Sequence, residues 1–153
     1  MSHVEEHLQS LGYTLPEAPA AAGNYLPYRI SSNQLFLSGV LAMKHGRISP
    51  TGKVGGPLSV EDGQEAARTC ALNALANIKA ALGSLDRVSQ FIMVNGYVNG
   101  VDGFARSPQV INGASDFLVE VFGDVGKHAR AAVTVAGLPG DSAVELQIVV
   151  EFV

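Results

Sequence analysis

Between Ser59 and Leu82 the residues Ala66, Ala67, Cys70, Ala71, Ala74, Leu75, Ile78, Ala81 and Leu82 recur at steps of three and four. That is the period of one face of an α-helix. Most of these side chains are small, so the face is flat and suits close packing on a sheet. Ser59 stands where an N-cap is wanted and Gly83 where the helix must stop. The remaining sequence therefore has to supply the strands.

Two short strand signals lie around 27–31 and 34–40, the latter QLFLSGV, separated by Ser-Ser-Asn as in a hairpin. Residues 88–98 read as a strand following the long helix. SPQVINGASDFLVEVFG, 107–123, reads as a second helix with Ser107 as N-cap, Pro108 at the first helical position and Gly123 at its end. Ahead of all this, Ser2 and Glu5 have capping-box spacing at the start of a short amphipathic helix that stops at Gly12. Residues 13–27 are rich in Pro, Ala and Gly and read as irregular; 44–58, KHGRISPTGKVGGPL, reads as a surface loop with no phosphate-binding glycine pattern. With two further strands at the C-terminus the order is ββαβαββ. This is an α+β class with a mixed sheet, two helices packed on one face and an extra short N-terminal helix.

A length of 153 residues fits a single domain, 1–153, in which 1–17 form an N-terminal extension. Fourteen acidic against ten basic residues, with few aromatics, make nucleic acid a poor partner. Apolar runs fall far short of the ~20 residues that span a bilayer, so no membrane partner is expected and the chain is read as cytoplasmic. Cys70 is the only cysteine, which excludes an internal disulfide; among small apolar neighbours it reads as a buried, inert thiol.

Residues 128–152, HARAAVTVAGLPGDSAVELQIVVEF, read as two strands joined by a Leu-Pro-Gly-Asp turn. Each carries one charge that its alternation does not require, Arg130 and Glu145. If the apolar sets, Ala131, Val133 and Val135 in one strand and Val144, Leu146, Ile148 and Val150 in the other, face the helices, both charges share the second face. Ala132, Thr134 and Val149 on that face are small or apolar, as when another subunit covers it. In a hairpin register Arg130 would sit opposite Val149, roughly 13 Å along the strand from Glu145. The two charges then lie in water, meet across a subunit boundary or flank one cavity.

ARAAVTVAGLP followed by AVELQIVVEF resembles the C-terminal signature of the Rid family of reactive-intermediate deaminases, also called YjgF-like or L-PSP endoribonuclease-like. The family pattern is Arg-x-x-Val-x-Val-x-x-Leu-Pro, then Val- or Ile-Glu-Ile or Leu, and the fifteen-residue interval from Arg130 to Glu145 fits it. APAAAGNY, LFLSGV and DGFARSPQVINGASDFL are similar to three further family segments and occur in the same order. The resemblance implies a chorismate-mutase-like fold that assembles as a homotrimer with ligand sites between subunits, and a chemistry that needs no cofactor and no metal. By position it implies that Arg130 binds a substrate carboxylate and that Glu145 serves the catalytic water. Tyr25, Ser38, Gly39 and Asn112 then match the other substrate-binding positions. The expected reaction is hydrolysis of small 2-imino or enamino acids to 2-keto acids and ammonia. A carboxylate-ligand-binding trimer without turnover is the alternative, and an endoribonuclease, the family's other label, the third. Departures from the pattern fall at Ala132, where many members have cysteine, at Asn24 and at Val40.

Four histidines are available for metal or proton chemistry. His3 and His7 lie one turn apart on the terminal helix and read as a solvated face. His45 falls in the loop. His128 precedes Arg130 by two residues and reads as an exposed strand-end residue with some reach toward a cleft. Asp141 reads as a turn residue, and Ser38 lies outside any nucleophile-elbow pattern.

Overall fold

Ser59 accepts a hydrogen bond from the Asp62 amide while the Asp62 carboxylate accepts one from the Ser59 amide, closing a capping box that starts α2, Val60–Leu82. Gly83 ends it in the left-handed region at φ 85°. The computed structural model describes residues 1–153. Its first helix, α1, His3–Ser10, is capped by Ser2, whose hydroxyl accepts from the Glu5 amide, but the Glu5 carboxylate turns to Lys79 and does not close the box that the spacing suggested. It docks through the His3 and Val4 amides on Asp86, a 3.1 Å ion pair between Glu5 and Lys79, and buried Leu8. No helix is long and apolar enough to cross a membrane.

The strands are β1 Tyr28–Ser31, β2 Gln34–Leu37, β3 Val40–Leu41, β4 Met43–Lys44, β5 Arg47–Ile48, β6 Val88–Asn99, β7 Ala129–Val135 and β8 Val144–Phe152, with α3, Ser107–Phe122, between β6 and β7. The main sheet runs β1-β2-β8-β6-β7, with β3 also paired to β8. α2 lies over β8, β2 and β3, and α3 over β6 and β7. The two helices meet closely because α3 has Gly113 where it passes α2: a Cβ there would stand 2.6 Å from the Gln64 Cα. One continuous cluster of 31 buried residues fills the space between helices and sheet.

The last two strands are not the hairpin that their turn suggested. β7 runs parallel to β6 on one side, and β8 runs antiparallel to β6 on the other. A parallel neighbour reached through α3 is a β-α-β crossover, so the chain leaving β7 must pass over the end of β6 to reach β8. Asn99, at that end and fully buried, holds the passage by donating to Asp141 Oδ1 at 3.0 Å and to the Gly52 carbonyl at 3.3 Å. Asp141 is thus a turn residue tied to β6. Arg130 pairs with Val94, whose other neighbour is Ile148, and not with Val149.

The shared face is overturned as well. Val94 and Val98 are fully buried against the helices, and their row-mates in β7 are Arg130 and Thr134. On β7 the polar set therefore faces the helix side, while Ala131, Val133 and Val135 face away, Val133 being 47% exposed. The reason lies in α3 and the turn before it. They present polar partners to this edge strand: Thr134 donates to the Phe104 carbonyl and Ser107 to the Ala132 carbonyl. On β8 the alternation holds, with Leu146, Ile148 and Val150 buried against the helices and Glu145 on the open face.

Three smaller expectations shift. Arg106, without a side-chain cap, occupies the N-cap of α3, because the Ser107 hydroxyl is engaged on β7. The 44–58 loop begins with the hairpin β4–β5, turned by His45 and Gly46 at φ 52° and 76°. Two successive positive φ values give the type I′ geometry that suits a tight hairpin. The 34–40 strand breaks at Ser38–Gly39.

Candidate functional site

The break at Ser38–Gly39 is a β-bulge. Phe36 pairs with Val149 and Val40 with Leu146, so four steps along one strand match three along β8. The Ser38 hydroxyl donates to the Leu26 carbonyl at 2.6 Å, and the Ser38 amide to the Pro27 carbonyl at 3.0 Å. These bonds draw the Tyr25 segment onto the bulge. Tyr25, Ser38 and Gly39, with Pro19, Val40 and Asn77, line a cleft open to solvent. Asn73 supports its floor, donating to the Leu41 and Met43 carbonyls at 3.1 and 2.9 Å.

Glu145 lies on the open face beside this cleft, in one row with Leu41, Tyr97 and Val133. Its carboxylate lies over Gly39. A Cβ at position 39 would overlap Oε2 and stand 3.1 Å from Cδ, so the glycine leaves the space the carboxylate uses. Burial raises the Glu145 pKa, because the charged form loses hydration without a cation to replace it. Such a carboxylate binds a proton more readily than an exposed one and is suited to taking a proton from water.

Arg130 belongs to a separate cluster on the helix side of the β7 edge. Its Nη1 donates to Asn112 Oδ1 at 2.8 Å and to Ser115 Oγ at 3.2 Å, and Nη2 donates to the Pro108 carbonyl at 3.4 Å. Three of the five guanidinium N–H donors are thus engaged by α3, which leaves two for a ligand, Nε–H and one Nη2–H. Two neighbouring donors on a rigid plane match a carboxylate.

The predicted site residues therefore fall into two groups. Asn112 joins Arg130; Tyr25, Ser38 and Gly39 join Glu145. Two strand spacings of ~4.8 Å and three residues of ~3.3 Å separate the Arg130 and Glu145 backbones by about 14 Å, and their side chains leave opposite faces. One small molecule cannot touch both on a single chain.

Residues that sequence reading missed or misjudged belong to both groups. Asn73 and Asn77 sit four apart in the otherwise apolar stripe of α2, a signal that the face does more than pack. His128 is half-buried and not an exposed strand end: Nε2 lies 2.8 Å from Ser115 Oγ and Nδ1 2.7 Å from the Gly126 oxygen. His7 Nε2 contacts the Glu120 carbonyl oxygen at 3.1 Å, and His45 serves the β4–β5 turn. Cys70 is fully buried, its thiol directed at the Val144 carbonyl at 3.4 Å; burial pushes its pKa far up and the Glu145 charge adds to this.

The family model described as "YjgF/chorismate_mutase-like, putative endoribonuclease" matches residues 5–152. Protein TCP17 of Trypanosoma cruzi is 46% identical over 149 residues, spanning 97% of this chain and 93% of that protein. Among solved structures, the protein Atu1372 of unknown function from Agrobacterium tumefaciens superposes with a TM-score of 0.90 at 45% identity, covering 97% of this chain and 91% of that one. RidA from Psychrobacter sp. PAMC 21119 superposes at 0.58 with 26% identity, covering 89% and 94%. The mixed α+β architecture described above is the chorismate-mutase-like fold that these similarities share.

Proposed function

Because the chain belongs to the YjgF-like Rid family, we propose that it hydrolyses small 2-imino or enamino acids to 2-keto acids and ammonia, in clefts between the subunits of a homotrimer. Family membership supports a small-molecule deaminase or a related role. The observation that carries the finer reading is the division of the site: a carboxylate clamp at the β7 edge, Arg130 held by Asn112, and a water-handling carboxylate at the bulge, Glu145 over Gly39. Each half is incomplete alone, and a second copy is the natural source of the other half. The open face also calls for a cover, since Phe36 and Val133 are 42% and 47% exposed in rows with Met93, Val149 and Tyr97.

In this reading Arg130 fixes the substrate carboxylate in the plane of its fork. Glu145 takes a proton from water as the oxygen adds to C2 of the protonated imine. It then returns that proton to nitrogen and takes the proton of the new hydroxyl as the C2–N bond breaks and C2=O forms; this last proton leaves with the ammonia, so that one protonated imine and one water give one keto acid and one ammonium ion. The Ser38–Gly39 bulge and Tyr25 bound the pocket beside C2.

The test is the decay of 2-iminobutanoate, generated in situ by an amino-acid oxidase, with wild type beside Arg130→Ala and Glu145→Ala. Acceleration by wild type that both variants lose is expected. Unaccelerated decay with retained 2-oxobutanoate binding would instead assign the chain to ligand binding without turnover.

A further inference from the structure

The Arg130 clamp has a second layer behind it. Ser115 Oγ touches Arg130 Nη1 at 3.2 Å on one side and His128 Nε2 at 2.8 Å on the other, and His128 Nδ1 touches the Gly126 carbonyl oxygen at 2.7 Å. A carbonyl can only accept, so Nδ1 carries the ring proton. In the neutral ring Nε2 is then bare, and the Ser115 hydroxyl must donate to it. The single hydroxyl proton is spent on the imidazole, which turns the oxygen's lone pairs toward the guanidinium. Every bond in the chain from Arg130 through Ser115 and His128 to Gly126 has a defined direction.

We propose that Ser115 and His128 are positioning residues for Arg130: the neutral imidazole fixes the rotor of the Ser115 hydroxyl, and the hydroxyl oxygen fixes the guanidinium with its remaining donors turned toward a carboxylate. The proposal rests on the reading of Arg130 as a carboxylate clamp. Without the imidazole acceptor the hydroxyl can turn its proton toward Nη1, and the bond that orients the guanidinium is lost.

The surroundings keep the ring neutral. Burial is the main cause of a His128 pKa below the ordinary value of 6.5; the Gly126 bond opposes this and the Arg130 charge adds to it. Among charged groups on neighbouring elements, Asp124 and Lys127 on the preceding turn pair with each other at 2.9 Å in solvent, and Asp116 and Glu120 on α3 are exposed. On the helix side of this stretch of β7, β6 presents Val94, which does not titrate. A protonated ring would place a second cation one hydroxyl away from the guanidinium and aim two donors at one oxygen.

Imidazole ¹⁵N spectra of the whole protein test the arrangement. A protonated Nδ1 with bare Nε2 is expected for His128 above neutral pH, and its pKa is expected to rise in Arg130→Ala. Calorimetry with 2-oxobutanoate tests the consequence. Ser115→Ala and His128→Leu should each weaken binding about fivefold, the scale of one lost hydrogen bond. The double variant should be no weaker than either single, because both cut the same chain. His128→Gln, whose carboxamide oxygen reaches the place of Nε2, should bind as wild type does. An Nε2-protonated tautomer, or His128→Leu binding like wild type while Arg130→Ala does not bind, overturns the relay. If wild type itself does not bind 2-oxobutanoate, the clamp reading falls, and the tautomer and the Arg130→Ala titration decide the relay by themselves.

Discussion

Arg130 and Glu145 leave one sheet from opposite faces: Arg130 shares a row with Val94 and Ile148, Glu145 a row with Tyr97 and Leu41. Fifteen residues apart in sequence, they are separated by the strand β6 and by the thickness of the sheet. A site that needs both draws them from two chains, and this geometry can be tested directly.

Subunit complementation is the first expected outcome. Arg130→Ala and Glu145→Gln should each be nearly inactive in imine hydrolysis, whereas co-refolding the two in equal amounts should restore activity. With random mixing in a closed ring, a site has an intact arginine and an intact glutamate with a probability of about one half each, which gives about a quarter of the wild-type rate. Mixed variants that stay as inactive as the separate ones would place both residues in sites of a single chain.

At the bulge, Gly39→Ala should displace the Glu145 carboxylate, since the added methyl and Oε2 claim the same space. Misplacing a catalytic group by about 1 Å costs on the order of 10²-fold in rate. The expected result is a fall in kcat of about that size with near-native circular dichroism. Unchanged kcat would show that Glu145 does not work from its position over Gly39.

Glu145 has a folded pKa raised by burial, so its ionised form opposes folding. Its contribution favours the folded state below the unfolded pKa and is lost as pH rises through the raised folded value. Glu145→Gln should therefore melt higher than wild type at neutral pH, with the difference shrinking as the medium is acidified below the ordinary carboxylate range. The same variant should lose about 10²- to 10⁴-fold in hydrolysis rate. Thermal melts across pH alongside the rate assay check both; a lower melting temperature at neutral pH would contradict the sign.

Much of the fold was legible because it depends on local chemistry. The N-cap at Ser59, the stop at Gly83 and the apolar alternation of β8 involve neighbours within a few residues, and each is found where the sequence predicts it. The likeness around Arg130 and Glu145 was legible for the same reason, since each residue sits in a short pattern of its own strand. The His45–Gly46 hairpin turn was equally local and was missed because its strands are only two residues long.

Other features were not local. Alternation divides Ala129–Val135 into two sets of side chains but carries no information on which set meets the helices, because that depends on what α3 presents to the edge strand. There it presents Asn112, Ser115 and the Pro108 carbonyl, so the polar set turns inward. A Leu-Pro-Gly-Asp turn likewise announces a reversal without saying whether the next strand pairs with the last one or crosses beyond β6. The sequence by itself determined the elements, their caps and the residue types available for chemistry, all set by interactions a few residues long. Only the tertiary structure decided the strand order, the face from which each charge emerges and the partner of His128, because these follow from groups more than ten residues apart competing for the same surface and the same hydrogen bonds.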